Sequence, residues 1–260
     1  MGQVHGAWIW YELLTTDAGA AKAFYESVLD WAIAPGDQPP LNYGHIARAD
    51  GREIGGVLPL SDEMIAQGAR PCWLGYIAVD DLDTTLATVI AQGGALLMPR
   101  MDIDEGSFAL VADPHGAPFY LMTPRMTDTG QPSVAFDMGT AGSCSWNELH
   151  AGDLDADLAF YNAIFGWEQA GSMDMGDFGP YHFLARAGAP FGAAMQRGPH
   201  VPVPGWTFYF RVTDIDAAAA AIPAQGGTIL HGPSLVPGED WILNALDPLG
   251  APFALVGKKA

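Results

Sequence analysis

An internal repeat constrains this chain more than any other feature. Residues 10–13 (Trp-Tyr-Glu-Leu) recur as residues 146–149 (Trp-Asn-Glu-Leu), a displacement of 136 residues. The other landmarks that recur are Asp17 with Phe24-Tyr25 (as Asp153 with Phe160-Tyr161), residues 73–79 and 91–94 (as 206–212 and 224–227), and residues 113–119 (as 247–253). Landmarks that keep their order with small changes in spacing indicate a duplicated fold.

Each copy contains two similar modules of strands and one helix. An apolar strand from Trp8 to Leu14 leads to Asp17, which can cap a helix, and short strands punctuated by Gly and Pro follow. The pattern restarts with a strand from Trp73 to Val79 and a helix that ends at Gly93-Gly94. One strand, one helix and three strands, twice per copy, predict an α+β fold of four βαβββ modules.

The copies are joined by a segment without clear periodicity. Residues 125–142 contain Thr, Gly, Pro and Ser in an irregular order, which is typical of a linker. We therefore predict a first domain over residues 1–124, a linker over 125–142 and a second domain over 143–260.

The composition predicts a folded, acidic protein. Of the 260 residues, 49% are hydrophobic, which is enough for a sizeable core. The chain has 11 Lys and Arg and 30 Asp and Glu, which gives a net charge of −19. A negative surface repels nucleic-acid backbones and anionic lipid headgroups, so we expect neither nucleic acid nor membrane as a partner. The same charge favours a cationic ligand over an anionic one.

The sequence also indicates a cytoplasmic location. No stretch approaches the roughly 20 apolar residues that span a bilayer, and the first residues lack the basic and apolar regions of a signal peptide. Cys72 and Cys144 are far apart and lack the paired spacing of a zinc site. We expect reduced thiols.

The repeated landmarks resemble the glyoxalase/bleomycin-resistance/dioxygenase superfamily, also called the vicinal oxygen chelate superfamily. The resemblance rests on Asp17 with Phe24-Tyr25, Asp153 with Phe160-Tyr161, the Gln-Gly-Gly helix ends and the two Asp-Pro-x-Gly turns. It covers nearly the whole chain outside the linker and is similar to tandem two-domain bacterial members. It implies two tandem glyoxalase/bleomycin-resistance-like domains with cupped mixed sheets around a cavity.

The resemblance also locates the positions at which related enzymes bind a metal. Metal-using members place a His on the first strand of a module and a Glu or His on the last strand. These positions correspond here to Trp10 and Tyr120 in the first copy and to Trp146 and Ala254 in the second, and the remaining ones fall near Gly55, Leu74, Gly192 and Thr207. Because none of these residues offers an imidazole or a carboxylate, we predict no metal site and no cofactor, with a divalent metal as the alternative.

Alternation along the first strand of each copy predicts which side chains would line a cavity. If Trp10 points inward, so does Glu12, and in the second copy Trp146, Glu148 and His150 share one face. The predicted ligand-binding residues are Trp10, Glu12, Trp73, Tyr120, Trp146, Glu148, His150 and Trp206. The alternative is that each Glu is satisfied structurally, by a backbone amide, a water or an Arg such as Arg48 or Arg186.

Three functions remain open at this point. The first is a small-molecule-binding protein that holds a cationic or aromatic ligand in acidic cavities lined by Trp and Glu. The second is a lyase, isomerase or dioxygenase. Such an enzyme would use either a displaced metal bound by Glu148, His150 and His182, or His150 and Glu148 as acid and base. The third is a non-catalytic interaction protein. Whether the chain is an enzyme, its oligomeric state, and whether the cavities form within or between the copies are left open.

Overall fold

The computed structural model describes residues 5–36, 39, 41–125, 132–199 and 201–259. The middle of the predicted linker, residues 126–131, lies outside the described residues. The elements of the first copy are β1 (Trp8–Thr15), α1 (Ala18–Val28), β2 (Trp31–Ala34), β3 (Gly44–Arg48), β4 (Glu53–Pro59), α2 (Asp62–Ala66), β5 (Cys72–Ala78), α3 (Leu82–Ala91), β6 (Ala95–Ile103), β7 (Gly106–Ala112) and β8 (Pro118–Pro124).

The second copy repeats this order, and its described residues contain no counterpart of the short helix α2. Its elements are β9 (Cys144–Ala151), α4 (Leu154–Phe165), β10 (Glu168–Asp174), β11 (Pro180–Arg186), β12 (Ala189–Gln196), β13 (Gly205–Val212), α5 (Ile215–Ala224), β14 (Thr228–Leu235), β15 (Trp241–Leu246) and β16 (Pro252–Gly257). Within the described ranges, no helix is long and apolar enough to cross a membrane.

Each copy supplies the strands of one eight-stranded mixed sheet. The strand order is β2-β3-β4-β1-β5-β8-β7-β6 in the first sheet and β10-β11-β12-β9-β13-β16-β15-β14 in the second. β1 pairs in parallel with β4 and β5 with β8, whereas the hairpin neighbours β2–β3 and β7–β8 are antiparallel. The predicted α+β fold of four βαβββ modules is confirmed.

An aspartate caps the helix of every module. The Asp17 side chain accepts a hydrogen bond from the amide of Ala20 at 2.9 Å, and Asp153 accepts one from Ala156 at 3.1 Å. Asp81 and Asp214 do the same for α3 and α5. The two caps predicted from the repeat are therefore confirmed, and each satisfies an amide that a helix start would leave without a partner.

The chain forms two compact units that each combine one module from each copy. Unit one contains Gly75–Ser133 and Trp146–Trp206 together with the N-terminal residues up to Ile9, and so carries β5–β8 and most of β9–β12. Unit two contains Trp10–Leu74, Val134–Ser145 and the residues from Thr207 onward.

The repeated Phe and Gly-Gly landmarks meet inside each unit. In unit one a Cβ atom on Gly94 would lie 3.0 Å from Phe160 and 2.7 Å from the Ala112 carbonyl. In unit two a Cβ atom on Gly227 would lie 2.7 Å from Phe24. Glycine at these positions therefore lets the end of one helix approach a buried phenylalanine from the other copy.

A buried chain of hydrogen bonds joins the two modules of unit one. Trp206 donates its indole N–H to the Tyr161 hydroxyl at 3.0 Å, and that hydroxyl donates to Oδ2 of Asp113 at 3.2 Å. Oδ1 of Asp113 accepts the amides of His115 and Ala117 at 3.0 and 2.9 Å. The Asp-Pro-x-Gly turn of the first copy is thereby attached to the helix and strand of the second.

Unit two contains the same chain with the roles of the copies reversed. Trp73 donates to the Tyr25 hydroxyl at 2.9 Å, and Tyr25 donates to Oδ2 of Asp247 at 3.2 Å. Burial raises the pKa of Tyr25 well above its usual value, and burial also raises the pKa of Asp247. Burial likewise raises the pKa of Tyr161 well above its usual value, so the phenols of Tyr25 and Tyr161 both stay protonated and able to donate at neutral pH.

Among the described residues, unit one alone adds an ion pair to this hydrogen-bonded chain. Nδ1 of His115 lies 2.6 Å from Oδ1 of Asp157, a side chain with no exposed surface. The hydrogen bond that His115 donates to Asp157 raises the pKa of His115, and burial together with the negative charge of Asp157 raises the pKa of Asp113. In the other repeat Leu249 and Ala21 occupy the matching positions, so this pair distinguishes the two units.

Tyr161→Phe should destabilise the protein by about 1–3 kcal/mol, because it leaves Trp206 and Asp113 with buried polar atoms that have lost a partner. Urea denaturation followed by tryptophan fluorescence would measure the loss. Tyr25→Phe is the matched variant in unit two and should cost a similar amount. A loss below about 0.5 kcal/mol in both variants would contradict a structural role for the two chains.

His115→Leu should change how stability depends on pH. Because the folded-state pKa of His115 is raised, the pair stabilises the folded state fully below the ordinary histidine pKa of about 6.5 and loses this effect as the pH rises through the raised pKa. The difference in melting temperature between the native protein and the variant should therefore be largest in mild acid and shrink in base. A difference that grows with pH would refute this assignment.

Candidate ligand-binding site

Strand β9 presents different side chains to its two faces. Leu149 is fully buried beside α4, on the face that packs against the helices. Alternation places Trp146, Glu148 and His150 on the opposite, helix-free face, as the sequence predicts. Glu148 is buried, and the side chains of Glu148 and His150 keep 10% and 17% of their surface exposed, so the pair is enclosed but accessible.

These three side chains form a hydrogen-bonded chain with a tyrosine from β11. Trp146 donates its indole N–H to the Tyr181 hydroxyl at 2.8 Å, and that hydroxyl donates to Oε2 of Glu148 at 2.7 Å. The other carboxylate oxygen, Oε1, lies 3.2 Å from Nε2 of His150. The buried carboxylate is therefore held in one orientation by groups on both of its oxygens.

The second ring nitrogen of His150 distinguishes this residue from an ordinary structural histidine. Nδ1 is buried and has no hydrogen-bond partner within the described part of the chain. With Nε2 directed at a carboxylate, the neutral ring carries its proton on Nε2 and leaves Nδ1 as an acceptor. A buried acceptor without a donor is costly, so the site gains when a donor from a ligand or a water reaches it.

Aromatic and thioether side chains surround the carboxylate. In the register of the sheet, Glu148 lies opposite Ala193, which lies opposite Phe183, and His150 lies opposite Met195. The ring of Phe183 is 6.2 Å from that of Trp146 and 5.8 Å from that of Tyr181. A surface of this kind, with one carboxylate among aromatic rings, suits an aromatic or cationic group.

The first repeat has a related but different arrangement. Trp10 donates to the Tyr43 hydroxyl at 2.8 Å, and Glu12 is buried with 2% of its surface exposed. A Cβ atom on Gly56, the residue opposite Glu12, would lie 2.0 Å from the Tyr43 hydroxyl oxygen, so glycine is required there. Leu14 takes the place of His150 in this repeat, and the imidazole on this face belongs to His45, whose ring is 6.1 Å from that of Trp10 and whose Nδ1 lies 3.3 Å from Oε2 of Glu53.

Cys72 lies near the carboxylate of the first repeat. Burial and the negative charge of Glu12 raise the pKa of the Cys72 thiol to about 12. The thiol is therefore protonated at neutral pH and is a poor nucleophile and a poor metal ligand. The second copy has Gly205 at the position of Cys72 when residues 73–79 are matched with 206–212.

The structure corrects the placement of two predicted ligand-binding residues. Trp73 and Trp206 are buried on the helix side, where they donate to Tyr25 and Tyr161. They therefore do not share a face with Trp10 and Trp146. The reason is strand register, since a shift of one residue between neighbouring strands moves a side chain to the other face.

Tyr120 lies in an aromatic stack of its own. Its ring is parallel to that of Tyr76, with 4.1 Å between the centroids and an angle of 16°, and the ring of Phe108 is 5.9 Å away. Tyr120 is 4% exposed. The stack belongs to the β5–β8 module.

The residues at the superfamily's metal positions do not fit a divalent ion. The indoles of Trp10 and Trp146 are hydrogen-bond donors, Tyr120 is stacked, and Ala254 has no donor atom. A Cβ atom on Gly55 or on Gly192 would lie 2.1 Å from a backbone carbonyl oxygen, so neither position can hold a ligand side chain. The donor set that such an ion requires is therefore missing from these positions.

The displaced metal site considered from the sequence lacks geometric support. His182 is adjacent to Tyr181 on β11 and so points to the other face of the sheet from Glu148 and His150. Across the described residues, no group of three or more His, Cys, Asp or Glu is arranged to hold a metal ion. Arg48, one candidate to neutralise a buried Glu, pairs instead with Asp50 and Ser143.

The chain contains four βαβββ modules in two mixed sheets, with parallel pairing inside each module. This arrangement is the fold of tandem vicinal oxygen chelate proteins. The chain belongs to the Glyoxalase/Bleomycin resistance protein/Dioxygenase superfamily, whose family model matches residues 145–255. The predicted resemblance is thereby confirmed. The match falls on the copy that contains Glu148 and His150.

Similar proteins are found in bacteria. The chain is 33% identical over 256 residues to "Putative glyoxylase CFP32" of Mycobacterium tuberculosis (strain CDC 1551 / Oshkosh), covering 95% of this chain and 93% of that protein. It is 31% identical over 139 residues to "Anthracycline biosynthesis protein DnrV" of Streptomyces peucetius, covering 51% of this chain and 46% of that one.

Solved structures share the fold at low sequence identity. The Mn(II)-bound glyoxalase from Novosphingobium aromaticivorans superposes with a TM-score of 0.63 at 18% identity, covering 100% of this chain and 84% of that chain. The 2,3-dioxygenase LapB from Pseudomonas sp. KL28 gives a TM-score of 0.65 at 12% identity, covering 99% and 94%. At this identity the likeness establishes the fold and leaves the chemistry to the site.

The equivalence of the two tyrosines of the site is not evident from the spacing of the repeat. Tyr43 and Tyr181 are separated by 138 residues, whereas Trp10 and Trp146 are separated by 136, so the repeat spacing alone does not align them. Their equivalence becomes evident when the hydrogen bond to each Trp is seen. Phe183 and Met195 carried no signal in the sequence apart from their position in short strands.

Proposed function

We propose that the protein binds a small aromatic or cationic molecule on the helix-free face of β9–β12, without a metal at the superfamily positions. The observation that carries the proposal is the chain Trp146–Tyr181–Glu148–His150, in which a fixed, half-enclosed carboxylate lies among aromatic rings. A cation on such a surface gains from both the carboxylate and the ring faces.

Two further properties support this ligand class. The net charge of −19 attracts cations and repels anions over the whole surface. The names of two relatives refer to the biosynthesis of anthracyclines, which are aromatic compounds, and this agrees with an aromatic ligand. A small molecule as the partner, the exclusion of nucleic acid and membranes, and the cytoplasmic location remain predictions.

The enzyme alternative has one observation in its favour. His150 is paired with Glu148 through Nε2 and has a free acceptor at Nδ1, which is the arrangement of a general base oriented by a carboxylate. The first repeat lacks this pair, so any proton transfer by these residues would belong to the second repeat alone. The role of a non-catalytic interaction protein has no comparable support from the site.

Benzyltrimethylammonium is a suitable probe, because it combines an aromatic ring with a permanent positive charge and cannot donate an N–H hydrogen bond. Glu148→Gln should weaken its binding about tenfold, since the variant keeps the shape and the Tyr181 contact but removes the charge. Isothermal titration calorimetry measures the affinity, with benzyl alcohol as the uncharged comparison.

Glu12→Gln is the matched control, because it makes the same change on the more buried carboxylate of the first repeat, where Leu14 stands in place of His150. It should leave the affinity unchanged. Equal affinity in Glu148→Gln and the native protein, or an equal loss in both variants, would refute the proposed site. Melting temperatures of both variants establish that they are folded.

A further inference from the structure

A pocket of about 340 Å³ lies on the helix side of the second repeat, across the sheet from Glu148. Its apolar lining includes Leu149, Leu158, Leu184 and the stacked rings of Tyr161 and Trp167, whose centroids are 5.3 Å apart. Its polar lining is Asp155, Asn162 and Gln169, which are exposed. A pocket of this size, apolar with a few polar groups, can hold a small molecule.

In the first repeat a lysine occupies the corresponding place. Nζ of Lys22 on α1 donates to the carbonyl oxygen of Ile33 on β2 at 2.5 Å and pairs with the carboxylate of Glu26. Glu26 also accepts the amide of Ile33 at 2.8 Å. The polar backbone groups on the outer edge of β2 are therefore satisfied by two helix side chains, and a primary ammonium lies between helix and strand.

The second repeat has lost these side chains. With the displacement of 136 residues, Leu158 stands for Lys22, Asn162 for Glu26 and Gln169 for Ile33. The Asn162 amide donates instead to the Trp167 carbonyl at 2.8 Å. Within the described ranges no side chain forms a hydrogen bond to the backbone of Gln169, so its polar groups have no equivalent of the Lys22 and Glu26 contacts.

One difference between the repeats adds a carboxylate to the second repeat, where Asn162 has replaced the charged Glu26 of the first. Gly19 of the first repeat corresponds to Asp155, which lies one turn before Leu158 on α4 and lines the pocket. The pocket therefore combines the Asp155 carboxylate, the backbone of Gln169 at the edge of the sheet and an apolar lining. These are the groups that an ammonium ion on an alkyl chain requires.

We propose that this pocket binds a primary alkylammonium ion in the place that Lys22 fills in the first repeat. The ammonium donates to the Gln169 carbonyl and the Asp155 carboxylate, and the alkyl chain lies against Leu158, Tyr161 and Trp167. This site lies on the other face of β9 from the proposed aromatic-cation site and is independent of it.

Butylammonium, which is the side chain of lysine as a free molecule, is the probe. In an NMR titration of the full chain it should shift the backbone amides of Leu158, Asn162 and Gln169 in a saturable manner, whereas butan-1-ol should shift them much less. Asp155→Asn, a change at an exposed position, should weaken butylammonium binding about tenfold through loss of the charge.

The double variant Leu158→Lys/Asn162→Glu restores the first-repeat side chains and should abolish the response by filling the pocket from within. Glu148→Gln should leave it unchanged, so failure here and failure of the aromatic-cation site can be told apart. Equal shifts with butanol, an undiminished response in Asp155→Asn, or shifts confined to residues near Glu148 would each overturn the proposal.

Discussion

The hydrogen-bonded chain of Trp, Tyr and Asp inside each compact unit is the contact on which the rest of the fold depends. It attaches a turn of one repeat to a helix and strand of the other, through Asp113 and Tyr161 in unit one and through Asp247 and Tyr25 in unit two. All of these groups are buried, so each bond is expensive to leave unmade. These hydrogen bonds explain why the Phe-Tyr pairs and the Asp-Pro-x-Gly turns recur together in the sequence.

The fold could be predicted from the sequence because its signals are local. Alternation along β1 and β9, the aspartate caps and the Gly-Gly helix ends each depend on a few neighbouring residues, and the repeat supplied every signal twice. The faces of Trp73 and Trp206 could not be predicted, because they depend on the register between separate strands. The partnership of Trp146 with Tyr181 depends on the same long-range register.

Duplication left the two repeats with different chemistry on both faces of the sheet. On the helix-free face, His150 in the second repeat replaces Leu14, and its imidazole pairs with the Glu148 carboxylate. On the helix side, Lys22 of the first repeat lies between α1 and β2, whereas the second repeat has a pocket at the corresponding place. Both differences support the ligand sites that we propose in the second repeat, which is also the part that the family model matches.

Superfamily membership favours a metal-dependent enzyme, whereas the side chains at the metal positions of this chain do not fit a divalent ion. Neighbours of the same fold include a Mn(II)-bound glyoxalase, yet the corresponding positions of this chain carry indoles, a stacked phenol and a methyl group. Function therefore has to be argued from the side chains present. We propose a binding site made of a carboxylate, an imidazole and aromatic rings.

The most direct test of this account is the metal content of the full chain, purified without chelator, together with its melting temperature in Mn²⁺, Fe²⁺, Zn²⁺ and Ni²⁺. The account predicts well under about 0.1 metal ions per chain and no rise in melting temperature, since an ion that binds the folded state would stabilise it. About one ion per chain, retained through purification and raising the melting temperature when added back to stripped protein, would contradict it.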